Sequence, residues 1–301
     1  MRILTHADDC GLTEGMTRAI LDCARTGALL GASVMAGGEC VDKAICGLER
    51  AISGPRNIPA VGVHLNILEG RSLLPPERLP RLVSPEGIFR HSLGSLCRAL
   101  ASPFSRSRQS LLDEIAEECS AQTARIQAAV SAPSLYLDGH LHVHILPALR
   151  PVLFSLLERF PIDYVRVPAE PRYVPPVPPC LRIAGTLRRE LLRLWSHGLP
   201  VALNKRGVRT PDSLIGAFCS GSMNLPRLAA GLNHVQRVLY DDALVEIMFH
   251  PGGSDFDEAP RHLAYRDFYL ASARNDEYAL LCSPEFHHLM LRHDKDWQGV
   301  P

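Results

Sequence analysis

Short apolar runs alternate with longer amphipathic stretches along this chain of 301 residues. A short apolar run is typical of a buried strand, whereas apolar positions that recur every three or four residues indicate a helix. The pattern predicts strands at these segments: Arg2 to His6, Ala28 to Met35, Ala60 to Leu65, Ser134 to Asp138, Asp163 to Val167, a short Val201 to Leu203, and Leu244 to Phe249. It predicts helices at these segments: Thr13 (the N-cap) to Gly27, Val41 to Ile52, Leu111 to Val130, Pro147 to Arg159, Leu181 to Trp195, Leu225 to Leu239, and one or two from Leu263 to His293.

This order of elements favours an α/β fold with a mainly parallel sheet, because buried strands alternate with helices. About seven such units predict an irregular (β/α) barrel, similar to a TIM barrel, rather than an open sheet. A Gly-rich phosphate-binding motif does not follow the first strand, so nucleotide binding has no support. We expect a single domain over residues 1–301, with Pro- and Gly-rich insertions near 69–92 and 170–179. Pro55 and Pro59 are expected to end the second helix.

Charge and cysteine content exclude several classes of function. Lys and Arg together number 32, as do Asp and Glu, so bulk charge does not attract nucleic acid or an anionic membrane. The sequence has no apolar run of the ~18 residues that a membrane span requires. Nine cysteines without a CxxC pair suggest reduced thiols, and the first residues do not resemble a signal peptide. We therefore expect a cytoplasmic protein.

The candidate chemistry lies directly after four of the predicted strands. Asp or His residues occupy these positions: Asp8 and Asp9, His64, His140 with His142 and His144, and His250. In a parallel barrel the C-terminal ends of the strands all lie on one face, so these side chains should converge there. A random distribution of the 13 histidines would also place them along the helices, and would not favour the ends of strands.

Asp8 and Asp9 are adjacent carboxylates just past a buried strand. They repel each other unless a cation or a proton neutralises one of them. One Asp and two His would bind a divalent metal and leave coordination positions open, and the other Asp could act as general base on water. The residues alone do not decide which Asp has which role. The alternative is that the pair caps the turn before the helix at Thr13.

The segment His140 to His144 (HLHVH) predicts an extended or turning conformation, because Gly139 precedes it and Pro147 follows it. If extended, its three histidines would share one face of a strand. His250 precedes Pro251 and Gly252, in a tight turn that would expose its side chain.

Together these segments resemble the motifs of a known family. Six segments resemble, in the same order, motifs of the YdjC-like carbohydrate deacetylases: THADDCGL at 5–12, VGVHLN at 61–66, EGR at 69–71, DGHLHVH at 138–144, RVPAEP at 166–171 and EIMFHPG at 246–252. The likeness covers residues 1 to about 255. Cys10 and His6 stand where the family's usual motif has Phe and Asn or Thr.

The resemblance implies an irregular (β/α) barrel that hydrolyses N-acetyl groups on amino sugars with one divalent metal ion, Mg or Zn. It implies Asp9, His64 and His140 as metal ligands. It implies Asp8 as general base and His250, as imidazolium, as proton donor to the departing amine. Substrate-binding residues are expected at His142, His144, Arg166 and Asn66. The substrate is expected to be a small amino sugar or a glycolipid, and the protein a homodimer.

Two other functions remain open from the sequence. A metal-containing carbohydrate-binding protein without turnover would need no proton donor, so Asp8 and His250 argue against it. A metal phosphoesterase would need two metals about 4 Å apart and more carboxylate ligands than the motifs supply.

Overall fold

The sheet is parallel throughout, as the sequence predicts. The computed structural model describes residues 1–52, 60–101, 106–253, 263–294 and 296–297. Within them lie seven strands: β1 (Arg2–Cys10), β2 (Gly31–Val34), β3 (Val61–Leu65), β4 (Leu135–Gly139), β5 (Ile162–Val165), β6 (Ser213–Ile215) and β7 (Leu244–Phe249). They are almost wholly buried, which accounts for their continuous apolar runs.

The strands lie in the order β5-β4-β3-β2-β1-β7-β6, and every neighbouring pair is parallel. The two ends of this curled sheet approach each other, because Tyr164 in β5 forms a parallel bridge with Arg209, shortly before β6. This TIM-barrel-like fold confirms the predicted fold class. It also places the C-terminal ends of all the strands on one face.

Helices pack on the outside of the sheet. Their bounds are α1 (Glu14–Arg25), α2 (Val41–Ala51), α3 (Leu93–Leu100), α4 (Arg106–Ala129), α5 (Arg150–Arg159), α6 (Pro179–Ser196), α7 (Leu199–Asn204), α8 (Leu225–Val238), α9 (Arg266–Tyr269), α10 (Ser272–Leu281) and α11 (Pro284–His293). Thr13 caps α1 as predicted, since its side chain accepts from the Met16 N–H. Pro55 and Pro59, predicted to end α2, lie outside the described residues.

Three parts of the sequence prediction were wrong in detail. The segment Val201 to Leu203, predicted to be extended, lies in α7, which begins after Gly198 with Pro200 in its first turn. The prediction missed β6 and α3, because a strand of three residues and a helix of eight have too few positions to show a period. The final segment contains three helices instead of one or two.

The histidine-rich segment turns instead of extending the strand. Residues His140–Ile145 form 3₁₀ turns in which Leu141 and His142 have φ of 48° and 58°. The three histidines therefore do not share one face of a strand, as an extended conformation would have required. Left-handed backbone is uncommon for residues with a side chain, and it often occurs at functional sites.

The insertion at 69–92 contains a 3₁₀ turn at Pro76–Arg78 and two antiparallel bridges, Arg71 with Ile88 and Val83 with Phe89, and is otherwise irregular. One face of α4 holds it in place. Glu118 accepts from the Leu73 and Leu74 N–H groups at 2.9 and 3.1 Å, and Glu114 accepts from the next part of the insertion. Gln122 bonds both backbone groups of Asn66. These three side chains are four residues apart, so they lie on one side of the helix.

The second insertion, at 170–179, is tied to the sheet by Glu170. This fully buried carboxylate accepts from the Gly216 N–H at 3.0 Å and from the Phe218 N–H at 2.5 Å, directly after β6. Among the described residues, no helix combines the length and apolar character needed to cross a bilayer.

We expect Glu118→Ala to lower the free energy of unfolding by about 2–3 kcal/mol, because two backbone donors lose charged acceptors. The matched control is Glu117→Ala, which removes only an exposed ion pair with Arg78 and should change it by less than about 1 kcal/mol. Urea unfolding followed by fluorescence measures both. Equal effects of the two substitutions would show that Glu118 does not anchor the insertion.

A candidate metal centre and active-site pocket

The structure brings the Asp and His residues of four segments together at the C-terminal face of the sheet. Asp9 Oδ1 lies 3.5 Å from His64 Nε2 and 3.4 Å from His140 Nδ1. One ligand atom from each of these three buried residues lies within 4.8 Å of the others. Bonds of ~2.1 Å in a tetrahedral arrangement would separate neighbouring ligand atoms by ~3.4 Å, so the three side chains fit a divalent ion.

Further polar side chains orient the two imidazoles. His64 Nδ1 lies 2.7 Å from Asp138 Oδ1, and Ser33 also donates to this carboxylate. His140 Nε2 lies 3.1 Å from Glu69 Oε1. A carboxylate on the outer nitrogen of a histidine fixes the tautomer that leaves the inner nitrogen available to a metal.

The pKa of His140 indicates that this site attracts positive charge. Burial by itself would lower that pKa, but the Asp9 and Glu69 carboxylates raise it to about 10. The same balance raises the pKa of His64, where Asp138 outweighs burial. Burial likewise opposes ionisation of Asp9, yet His140 and Arg274 hold its pKa well below the usual range.

A backbone irregularity separates the adjacent carboxylates Asp8 and Asp9. Ala7 pairs with Ala32 of β2, but Cys10 pairs with Val34, so β1 has one extra residue here. Asp9 takes a left-handed φ of 65°. Such a bulge redirects side chains, and it allows Asp9 to face His64 and His140 while Asp8 faces a cationic side chain.

That cation is the guanidinium of Arg166, which follows β5 and is fully buried. Its Nη1 lies 2.7 Å from Asp8 Oδ2 and 2.8 Å from Asp138 Oδ2, and its Nε donates to Glu246 at 2.6 Å. Burial would raise the pKa of Asp8, but Arg166 keeps it well below the usual range. His6, Asp8 and Asp138 form a second group that could hold a metal, and Arg166 contacts all three.

His250 lies beside Asp8, and the C-terminal helices hold it there. Its Nε2 is 3.7 Å from Asp8 Oδ2. Its backbone N–H donates to Glu277 at 2.5 Å, and its carbonyl accepts from Arg274 Nε at 2.9 Å. Arg274 also lies 3.4 Å from Asp9 Oδ2. Burial lowers the pKa of His250 to about 4, so its imidazole is neutral at pH 7.

The side chains of Asp8, Asp9, His64, His140 and His250 form the floor of a pocket of about 310 Å³. Most of its wall is apolar, and its residues are Asp8, Asp9, His64, Leu93, Gly139, His140, Leu141, His142, Arg188, Leu191, Leu192, Trp195, Ser220, Met248, His250, Tyr265 and Phe268. Of the four residues expected to bind substrate, His142 therefore lies in the wall.

The other three have protein partners and do not line this pocket. Arg166 lies beneath the floor, among carboxylates. His144 Nε2 lies 2.9 Å from the Arg166 carbonyl oxygen. Asn66 donates to the Glu69 carbonyl and accepts from the Leu68 N–H, so it shapes the start of the first insertion.

Sequence reasoning did not assign roles to several residues that support the site. Glu69, Asp138 and Glu246 are all fully buried acids inside the motif segments. An acidic residue within such a segment is the sequence signal that could have marked them, because a buried charge needs a partner. Arg274 and Glu277 lie beyond those segments, in a helix with no distinguishing pattern. Only the folded structure relates them to Asp9 and His250.

Comparison with known proteins agrees with this architecture. The family model described as YdjC-like protein matches residues 2–292. The chain belongs to this YdjC-like family. The expected family resemblance is thereby confirmed, over a longer stretch than the six motif segments cover.

Relatives of this YdjC-like chain carry the name carbohydrate deacetylase. The protein from Danio rerio is 26% identical over 274 residues, covering 84% of this chain and 82% of its own length. The Mus musculus protein is 28% identical over 263 residues, covering 84% and 78%. A crystal structure from Enterococcus faecalis, of a protein proposed to cleave cellobiose phosphate, superimposes with a TM-score of 0.66 at 19% identity, covering 97% of this chain and 94% of that one.

Glu277 should make stability depend on pH. Burial raises its pKa from 4.5 to about 7, although the Met223 and His250 N–H groups oppose this. Between those values the folded protein keeps a proton that the unfolded chain has released. The free energy of unfolding should therefore fall by about 3 kcal/mol as pH rises from about 4.5 through about 7, and then level off.

We expect Glu277→Gln to remove this decrease, because an amide does not titrate. Urea unfolding of the two proteins between about pH 5 and about pH 8 gives the difference that belongs to Glu277. Glu285→Gln, on the exposed side of α11, is the control and should keep the wild-type pH dependence. A pH profile of Glu277→Gln that matches the wild type would contradict the assignment.

Proposed function

We propose that this chain hydrolyses the N-acetyl group of an amino sugar such as N-acetylglucosamine, releasing acetate and a free amine. One observation carries the proposal: the group formed by Asp9, His64 and His140 adjoins Asp8 and His250 on the floor of one pocket. The relatives named carbohydrate deacetylase support the reaction and the sugar class.

Asp9, His64 and His140 would hold one divalent cation, Mg or Zn. When bound, it would polarise the acetyl carbonyl and lower the pKa of a water molecule. The donor set of one carboxylate and two imidazoles suits several divalent metals. A second ion beside it is disfavoured, because the Arg166 guanidinium already lies between Asp8 and Asp138, within 2.7 and 2.8 Å of their carboxylates.

Asp8 is the proposed general base. It is ionised at neutral pH, so it can accept a proton from the attacking water. Its Oδ2 lies 3.7 Å from His250 Nε2, and this imidazole is neutral and can take the proton next. A group whose pKa is as low as about 4 releases its proton readily to a departing amine. His250 would thus become imidazolium during the reaction, instead of holding a proton beforehand.

The remaining expected site residues divide by location. His142 is proposed to orient substrate hydroxyls from the pocket wall. Arg166, His144 and Asn66 are proposed as positioning residues, because they contact the groups that hold the site. Arg166 fixes Asp8 directly, whereas Asn66 fixes the backbone of Glu69, next to His140.

The substrate is proposed to carry an apolar aglycone, as a glycolipid does. We define the α6 apolar face as Ile183, Leu187, Leu191 and Leu194, which recur at helical spacing. Their exposed fractions are 69%, 67%, 42% and 69%, which is unusual for a contiguous apolar patch. Leu191 also lines the pocket, so the face continues from the mouth of the site and could contact the aglycone while the sugar lies within.

Three expectations remain predictions: a single domain over residues 1–301, a homodimer, and a cytoplasmic location. Experiments can also distinguish the two alternative functions from deacetylation. A protein that binds sugar without turnover would release no acetate, and a phosphoesterase would hold two adjacent metal ions.

We expect Asp8→Asn to lower kcat on the order of 10²–10⁴-fold while metal content stays at one ion per chain, because the amide cannot act as a base. Asp9→Asn should lose the ion. Acetate release from N-acetylated chito-oligosaccharides and elemental analysis measure the two effects. Asp163→Asn, an exposed carboxylate in β5, is the control and should keep both. Unchanged kcat in Asp8→Asn would remove the general-base role.

Replacement of Leu187 tests the substrate class. We expect Leu187→Ser to raise KM about fivefold for a long-chain alkyl N-acetylglucosaminide, since about 1 kcal/mol of apolar contact is lost. KM for the free N-acetylated sugar should not change. The control is Val238→Ser, which places the same polar side chain at an exposed position of α8, where Val238 is 56% exposed. Equal KM values for the alkyl glycoside in all three proteins would reject the apolar aglycone but not the deacetylation.

A further inference from the structure

Two thiols meet between α1 and the end of α10, outside the residues that line the pocket. Cys23 Sγ and Cys282 Sγ are 4.0 Å apart. Cys23 is fully buried in α1, whereas Cys282 directly follows α10 and is exposed. The helices α1 and α10 pack against each other here, so the contact joins two segments far apart in the sequence.

The surroundings of Cys282 favour its thiolate. The Cys23 thiol donates a hydrogen bond to it, partial burial opposes ionisation, and the Tyr278 hydroxyl donates a second bond, so the pKa of Cys282 is lowered to about 7. The thiolate is the form of cysteine that reacts with oxidants. Redox-active cysteines typically combine this character with exposure and with a second cysteine nearby.

We propose that Cys282 is a peroxide-reactive thiol and that Cys23 resolves its sulfenic acid into an intramolecular disulfide. The proposal rests on the sulfur–sulfur contact and on the contrast between one exposed and one buried thiol. It does not depend on the proposed deacetylation.

The reaction balances with hydrogen peroxide as the oxidant. The Cys282 thiolate attacks one peroxide oxygen, the O–O bond breaks, and hydroxide leaves, so that peroxide is reduced by two electrons and Cys282 becomes the sulfenic acid. Cys23 Sγ then attacks Cys282 Sγ and the S–O bond breaks. The Cys23 proton leaves with the hydroxyl group as water.

The local structure permits the bond. A disulfide requires a sulfur separation of ~2.05 Å, so the two atoms must approach by ~2 Å. Cys282 lies after the last residue of α10, ahead of the turn to α11, and can move without breaking helical hydrogen bonds in the middle of α10. The bond would fasten α10, which carries Arg274 and Glu277, to α1.

The test is peroxide treatment of the intact protein under native conditions, followed by peptide mapping. We expect one cross-linked pair of peptides that contains Cys23 and Cys282, and its loss on reduction. In Cys23→Ser, Cys282 should stop at the sulfenic acid and be captured by dimedone, at least about tenfold faster than Cys46. Cys46→Ser, which removes an exposed cysteine of α2, should cross-link as the wild type does.

Thermal unfolding of the same samples adds a second measurement. The oxidised wild type should unfold at a Tm higher by about 4 °C or more than the reduced protein, because the bond closes a very long loop of chain. Cys282→Ser should show no peroxide-dependent shift. Dimedone capture at Cys282 no faster than at Cys46, or sulfenic acid in the wild type without the Cys23 cross-link, would overturn the proposal.

Discussion

The structure depends on how the barrel surrounds three buried carboxylates with one cation and with hydrogen-bond donors. Asp8, Asp138 and Glu246 are all enclosed, and the Arg166 guanidinium contacts each of them. Tyr136 and Tyr164 complete the shell by donating to Glu246. Removing one partner from such a buried pair typically costs about 3–5 kcal/mol, because the other charge is left uncompensated. This cluster therefore constrains β1, β4, β7 and the end of β5 at once.

The same cluster gives the neighbouring carboxylates Asp8 and Asp9 different partners. Arg166 pairs with Asp8, whereas Asp9 faces the imidazoles of His64 and His140, and a metal cation would bind on that side. The bulge in β1 makes this division possible, since it separates the directions of the two side chains. A regular strand would also separate them, but onto opposite faces of the sheet, and one would leave the site.

The sequence predicted the parallel sheet and the meeting of Asp8, Asp9, His64, His140 and His250. Both follow from local information, because apolar runs mark buried strands and parallel strands end on one face. Other features depend on contacts between distant segments. Nothing near Arg166 in the sequence reveals three acidic partners, and the local pattern at His142 left open whether the segment extends or turns. Leu199–Asn204 could not be recognised as a helix, because six residues are too few to show a helical period.

The supports for Asp9 and His250 come from the end of the chain, although Asp9 itself lies near the beginning. Arg274 and Glu277 reach these residues only after the whole barrel has been synthesised. On the ribosome, these two supports can therefore form only after the last helices have emerged. A messenger truncated before residue 272 would encode all six motif segments and still lack Arg274 and Glu277.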